Sequence, residues 1–215
     1  MHVVITGANR GIGAGLAEAY RAAGHEVTGT GRAPGATDAV LDVTDPASHT
    51  ALAQTLTGRP VDLLICNAGV YLDRGDDLAG GYDASKWETT FSTNVSGVFL
   101  SVQSLLPNLR HSAVPRVAII ASQMGSSTQA KGTSLIYRAS KAAAIKLGFN
   151  LAEALKPDGI AVGVYHPGWV QTDMGGAAAD IGVDEAVSGL MERFAALGPD
   201  TTGCFDTWDG RAHPI

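Results

Sequence analysis

The sequence predicts a doubly wound α/β fold, a parallel sheet of about seven strands flanked by helices. Short apolar runs of strand length alternate with segments of helical period along the chain, the order that builds parallel sheets. A glycine-rich turn follows the first of those strands directly and opens a helix. At 215 residues the chain is comfortable for a single layered core, so residues 1–215 are expected to form one domain.

Taken in order, His2 to Thr6 reads as a short buried strand, and Gly7-Ala8-Asn9-Arg10-Gly11-Ile12-Gly13 as the turn. A helix follows from Ala14 to Ala23, with Leu16, Ala19, Tyr20 and Ala23 at helical spacing. Strand, turn and helix N-terminus make a phosphate cradle, because glycines admit the backbone to a ligand and free N–H groups favour an anion. The second strand, Glu26 to Thr30, ends at Gly31-Arg32. Such a strand end meets an adenosine ribose; Arg32 and Arg10 suit a 2′-phosphate, where an acidic residue would select a free hydroxyl. The other reading leaves both arginines as solvated surface.

Residues 38 to 45 read as a third strand running into a helix cap at Thr44 or Asp45, with Pro46 at the first helical position. Asp42, followed by Val43, stands where ligands bind and suits an adenine amino group or a turn. A helix from Ala47 to Leu56 leads to the strand Val61 to Cys66, which ends in Asn67-Ala68-Gly69, small enough to let a ribose lie against the backbone. Residues 71 to 83 read as a mobile loop at the rim of a substrate entrance. Ser85 to Leu109 has a helical pattern with Asn94 in its middle, which reads as a satisfied core or surface amide or, beside a local irregularity, as a residue that holds a water through its backbone carbonyl.

Pro115 to Ser122 is the clearest strand, and Ser122 stands at its C-terminal end. A polar connection returns the chain to a helix from Tyr137 to about Lys156, stopped by Pro157-Asp158-Gly159. Tyr137 and Lys141 are four residues apart on one helical face, so an ammonium can sit beneath a phenol. A nearby cation lowers a tyrosine pKa from about 10 toward neutrality and makes it an acid or base for a carbonyl or alcohol oxygen. Alone, the pair also reads as an ordinary surface pair. A sixth strand, Ile160 to Tyr165, closes on His166-Pro167-Gly168; His166 has no second ligand at a metal-binding spacing, so no metal is expected. A helix from Asp184 to Ala196 and a strand near Gly203 to Asp206 complete the chain.

Hydrophobic residues make up 45% and charged residues 17%, a globular composition. The net charge is −6, with no basic block to bind nucleic acid. No apolar run approaches the roughly 18 residues of a membrane span. The N-terminus lacks the basic flank and apolar length of a signal peptide, and Cys66 and Cys204 are expected as free buried thiols. No nucleic-acid or membrane partner and a cytoplasmic location are therefore expected.

These segments together resemble the short-chain dehydrogenase/reductase family. Thr6-Gly7-Ala8-Asn9-Arg10-Gly11-Ile12-Gly13 matches its TGxxxGxG turn, residues 67 to 69 its Asn-Ala-Gly, Tyr137 and Lys141 its Tyr-xxx-Lys, and Pro167-Gly168 its Pro-Gly segment. Asn94 and Ser122 correspond to its helix asparagine and strand-end serine. The finer texture is similar to the compact carbonyl-reductase-like branch with C-factor and sniffer-type proteins. Two departures are Ala121, where many members have serine, and a short region after Met174, which implies an open pocket.

The resemblance implies a Rossmann-like fold and an oxidoreductase that passes a hydride between nicotinamide and a small or medium carbonyl or alcohol. Tyr137 would be the proton donor, Lys141 would lower its pKa and hold the ribose, Ser122 would bond the substrate oxygen, and Asn94 would hold a relay water. Gly7, Asn9, Arg10, Gly11, Ile12, Gly13, Arg32, Asp42, Val43, Asn67, Ala68, Gly69, Pro167, Gly168, Val170 and Thr172 would join Tyr137 and Lys141 around the cofactor. NADP(H) is preferred on the arginines, with NAD(H) and alcohol oxidation the first alternative and a cofactor-sensing signalling protein the second. Relatives often pair through the helices bearing Asn94 and Tyr137, which leaves a homo-oligomer open.

Overall fold

In the computed structural model, which describes residues 1–215, seven strands form one parallel sheet. In chain order they are β1 (His2–Ile5), β2 (Glu26–Gly31), β3 (Ala39–Val40), β4 (Leu63–Cys66), β5 (Arg116–Ile120), β6 (Ala161–His166) and β7 (Phe205–Thr207). Their spatial order is β3-β2-β1-β4-β5-β6-β7. Val3 of β1 lies opposite Val27 of β2 on one side and Leu63 of β4 on the other. The chain therefore reverses direction across the sheet at β1 and β4, and a crevice opens beyond their C-terminal ends.

Helices cover both faces. They are α1 (Gly11–Ala22), α2 (Pro46–Thr55), α3 (Ala84–Phe91), α4 (Gly97–Arg110), α5 (Leu135–Leu155) and α6 (Val183–Ala196). Because side chains alternate along a strand, neighbouring residues enter different cores. Val4, Leu64, Val117, Ile119, Val162 and Val164 pack with Leu105 and Leu109 of α4 and Ile145 and Leu151 of α5. Val3, Ile5, Leu63, Ile65, Ala118 and Ile120 pack with Leu16 and Tyr20 of α1 and Leu190 and Phe194 of α6. Continuous apolar strands are the consequence of burying both faces.

Several boundaries differ from the sequence reading. The first helix begins at Gly11 rather than Ala14, since the Ala14 N–H reaches back to the Arg10 carbonyl at 3.3 Å and makes the glycine turn its first turn. The third strand has only two residues, because Asp42 folds into a turn: its Oδ1 accepts from the Thr44 N–H at 2.9 Å and the Thr44 hydroxyl at 2.7 Å. Asp45 caps α2, accepting from the Ala47 N–H at 2.9 Å. The long helix over residues 85–109 divides into α3, a π-helical turn at Ser92–Ser96 and α4. The Gly97 N–H bonds the Ser92 carbonyl there, placing the irregularity at Asn94 itself.

Helix α5 turns a stripe of Ile136, Tyr137, Ser140, Lys141, Ala144, Ile145 and Gly148 inward, so Tyr137 and Lys141 belong to its buried face and not to its surface. The turn after Ser122 packs on the helix backbone at that level. A Cβ at Gly125 would lie 2.6 Å from the Lys141 carbonyl carbon and 2.7 Å from the Ala142 nitrogen. Backbone atoms cannot swing aside, so Gly125→Ala should cost about 1–3 kcal/mol of stability in urea unfolding, as overpacked cores do. An unchanged midpoint would show that this approach does not seat α5.

Candidate active site

The crevice beyond β1 and β4 is lined by Gly7, Asn9, Arg10, Gly11, Ile12, Gly13, Arg32, Asp42, Val43, Asn67, Ala68, Gly69, Tyr137, Lys141, Pro167 and Thr172. A second pocket adjoins it over Ser122, Tyr137, His166 and Trp169, and it is there that Gly168 and Val170 stand. Gly168, where the chain turns with φ 91°, and Val170 were expected beside the cofactor; they line this second pocket between Pro167 and Thr172, which line both.

The glycine turn approaches the end of β4 closely. Gly7 has φ 66°, a left-handed conformation that glycine adopts without strain, and a Cβ there would lie 3.0 Å from the Ala68 Cα. The Asn67 side chain fastens the two together, donating from Nδ2 to the carbonyls of Thr6 at 2.9 Å and Gly7 at 3.0 Å. The Thr6 hydroxyl accepts from the N–H groups of Asn67 and Ala68, both at 3.0 Å. No side chain caps the N-terminus of α1 and no acidic residue occupies its first turn, so N–H groups and the positive dipole end face the crevice. These features fit an anionic dinucleotide. Arg32 is exposed without a carboxylate partner, whereas Arg10 is already paired with Asp173 at 2.8 Å. Hydrogen bonds from Thr44 hold the Asp42 carboxyl below its ordinary pKa, so its turn role is in place.

Asn94 is buried, and its amide forms a two-way bridge to the chain after Gly69. Its Oδ1 accepts from the Val70 N–H at 2.8 Å, and its Nδ2 donates to the Val70 carbonyl at 2.9 Å and the Ser140 hydroxyl at 3.0 Å. A Cβ on Gly69 would meet both Asn94 Oδ1 at 3.3 Å and Lys141 Nζ at 3.6 Å, so these groups converge on one small residue. Lys141 Nζ donates to the Ile120 carbonyl at 3.0 Å and stands 5.7 Å from the Tyr137 ring centroid. Ser122 begins a tight turn over Gln123–Gly125, where its hydroxyl accepts from the Met124 N–H at 3.2 Å.

Burial dominates the acid–base character of this site. It pushes the Tyr137 phenol up to about 12, with the neighbouring Ser122 hydroxyl working in the opposite direction, and pulls Lys141 down to about 8. Burial, which takes water from both groups, therefore works against the lowering of the phenol expected from Lys141. His166, at the end of β6, is likewise held neutral by burial at about 4, with no partner for its Nδ1.

Two functional neighbours escaped the sequence reading. The Tyr71 ring stacks on Tyr137 with centroids 4.3 Å apart and planes at 21°, and its hydroxyl bonds Ser134. Asp73 is fully buried, and its carboxylate accepts from the Ile136 N–H at 2.8 Å and the Tyr137 N–H at 3.3 Å. It therefore caps α5, whose own preceding residue, Ser134, is left-handed at φ 56° and offers no side-chain cap. The loop read as mobile does form the pocket rim through Tyr71 and Arg74, but it is anchored at Asp73. An aspartate after a strand end carried no local signal of this, since its partners lie 63 and 64 residues away.

A doubly wound parallel sheet with its crevice at the strand C-termini is the architecture of nucleotide-binding α/β enzymes. The chain belongs to the short chain dehydrogenase family, whose family model matches residues 1–180. It is similar to C-signal of Myxococcus xanthus, 37% identical over 166 residues that cover 76% of this chain and 98% of that protein. Among solved structures it is similar to the NADPH-bound carbonyl reductase from chicken fatty liver, with a TM-score of 0.90 and 30% identity over 100% of this chain and 98% of that one. The carbonyl reductase Sniffer of D. melanogaster has a TM-score of 0.90 and 26% identity over 100% and 99% of the two chains.

The cap leads to a test. Asp73→Ala leaves two N–H groups of α5 unsatisfied and should cost about 1–2 kcal/mol in thermal or urea unfolding. Asp73→Asn, which keeps one acceptor, should lose less; equal losses would mean that the hydrogen bonds are not the source of the effect.

Proposed function

We propose that the whole chain, residues 1–215, is one catalytic domain that reduces a small or medium carbonyl compound with NADPH. The observation that carries this reading is the convergence of Ser122, Tyr137 and Lys141 where the cofactor crevice meets the second pocket. A phenol kept protonated through neutral pH is suited to giving a proton to a carbonyl oxygen. In the reverse oxidation the phenolate takes the proton from the alcohol oxygen.

NADPH when bound supplies the hydride to the carbonyl carbon. Tyr137 donates its hydroxyl proton to the carbonyl oxygen, which becomes the alcohol, and Ser122 donates a hydrogen bond to the same oxygen. Lys141, fixed by the Ile120 carbonyl, holds positive charge beneath the ring and offers its remaining donors to a ribose. Asn94 keeps the strand end at Val70 in register with α5 through Ser140, and the π-helical turn around it holds a relay water for Lys141. Arg32, which has no carboxylate partner, is the residue to receive a 2′-phosphate, and the NADPH in the chicken carbonyl reductase supports that choice. Asn9, Ile12 and Val43 line the same crevice.

Turnover is measured by NADPH consumption with a panel of aldehydes and ketones. Tyr137→Phe should lose roughly 10²–10⁴-fold in kcat, the worth of a positioned general acid. The proton donor persists throughout neutral pH, while Lys141 loses its charge as pH rises through about 8, so kcat/KM should show an alkaline limb there that Lys141→Arg moves upward. Activity indifferent to Tyr137→Phe would overturn the mechanism, whereas no turnover of any carbonyl by the parent would leave the signalling reading in its place. For the cofactor, Arg32→Ala should weaken NADPH roughly tenfold and leave NADH nearly unaffected; equal NADH and NADPH affinity in the parent, unchanged in the variant, would favour NAD.

A further inference from the structure

The cations of this chain are unevenly partnered. Seven of its fifteen Lys and Arg side chains form carboxylate ion pairs. Of the eight that do not, five line the two adjoining pockets: Arg32 and Lys141 the cofactor crevice, and Arg74, Lys131 and Arg138 the substrate pocket. With 21 carboxylates in the chain, a shortage of acidic partners does not explain the pattern. Nor do cofactor phosphates account for the second group, since none of those three residues lines the crevice.

Two of the three are already oriented by groups that leave their charge intact. Arg138 donates from Nε to the Thr133 carbonyl at 2.9 Å and from Nη1 to the Gln129 carbonyl at 2.7 Å, which fixes its guanidinium and leaves Nη2 unbonded. Arg74 lies over the Tyr71 ring, 4.9 Å from its centroid, and donates to the Met174 carbonyl on the facing loop. Lys131 is exposed and bonded to nothing. Asp180 is the one carboxylate on the lining, so the pocket carries a positive excess in a chain whose net charge is −6. A concave site lined by one sign of charge raises the local concentration of the opposite sign, and pre-oriented guanidinium groups bind oxyanions with little further ordering.

We propose that the carbonyl substrate bears an oxyanion, a carboxylate or a phosphate monoester, which docks on Lys131 and Arg138 at the pocket mouth with Arg74 beside them. This rests on the reductase reading above, and it adds the chemical class of the substrate. The carbonyl end lies at Ser122 and Tyr137, and the apolar body between lies along Met124, Trp169 and Met174.

The test compares 4-formylbenzoate, 4-formylphenyl phosphate and the neutral methyl 4-formylbenzoate as substrates of the full chain with NADPH. At low salt kcat/KM should favour at least one anion over the ester by roughly tenfold, mainly through KM, and high salt should erase the preference. The better anion identifies carboxylate or phosphate as the group recognised. Lys131→Glu, at a side chain without partners, should cut the anion-to-ester ratio roughly tenfold, and Lys131→Gln combined with Arg138→Gln should do the same. An ester used as well as both anions, or a ratio unmoved in the variants, overturns the inference while leaving the reductase reading intact. If no carbonyl is consumed, the reductase reading fails, and calorimetry with terephthalate and phenyl phosphate on the NADPH-loaded chain decides this one separately. Binding weakened in Lys131→Glu supports it; no binding of either anion overturns it.

Discussion

Everything at the site depends on where helix α5 sits. Its N-terminal turns are fixed from three directions: the Asp73 carboxylate on its first N–H groups, the Gly125 turn against its backbone, and Asn94 on Ser140. Each contact is short-range and intolerant of extra volume or a missing acceptor, so the position is stiff. Tyr137 and Lys141 inherit that stiffness. A phenol displaced by an ångström would lose its relation to the serine hydroxyl, and proton transfer is sensitive to such displacements.

The same burial that positions these groups also sets their protonation. Lost solvation pushes the phenol up to about 12 and pulls the ammonium down to about 8, which leaves Tyr137 protonated and Lys141 still charged at neutral pH. A buried lysine with no carboxylate neighbour is an unfavourable arrangement, offset in part by its hydrogen bond to the Ile120 carbonyl. His166, neutral for the same reason, adds a further polar group to the pocket without adding charge.

Charge is arranged outward from that centre. Helix α1 presents an uncapped N-terminus, Arg32 stands free beside it, and the second pocket has its own cations. The Arg10–Asp173 pair joins the glycine turn to the loop after β6 through two exposed side chains. Exposed pairs of this kind are worth at most about 1 kcal/mol, so it is a contact that ligands can displace.

Much of this was legible before the fold was known, because the signals are local. The glycine turn after β1, Asn67-Ala68-Gly69 at the end of β4, Ser122 just past β5 and the Tyr137–Lys141 spacing each lie within one element, and the alternation of apolar strands with helical-period segments is a property of neighbouring residues. Other features had no such trace. Asp73 caps a helix 63 residues away, Tyr71 stacks on Tyr137, Asn67 serves as a fastener between two strand ends, and Arg10 finds Asp173 across 163 positions. Local signals specify the elements and the chemical groups at their ends, though not the boundaries at Gly11, Asp42 and Asn94. Only the tertiary structure decided which of those groups lose water and which meet, because desolvation and pairing depend on packing between segments that are distant in the chain.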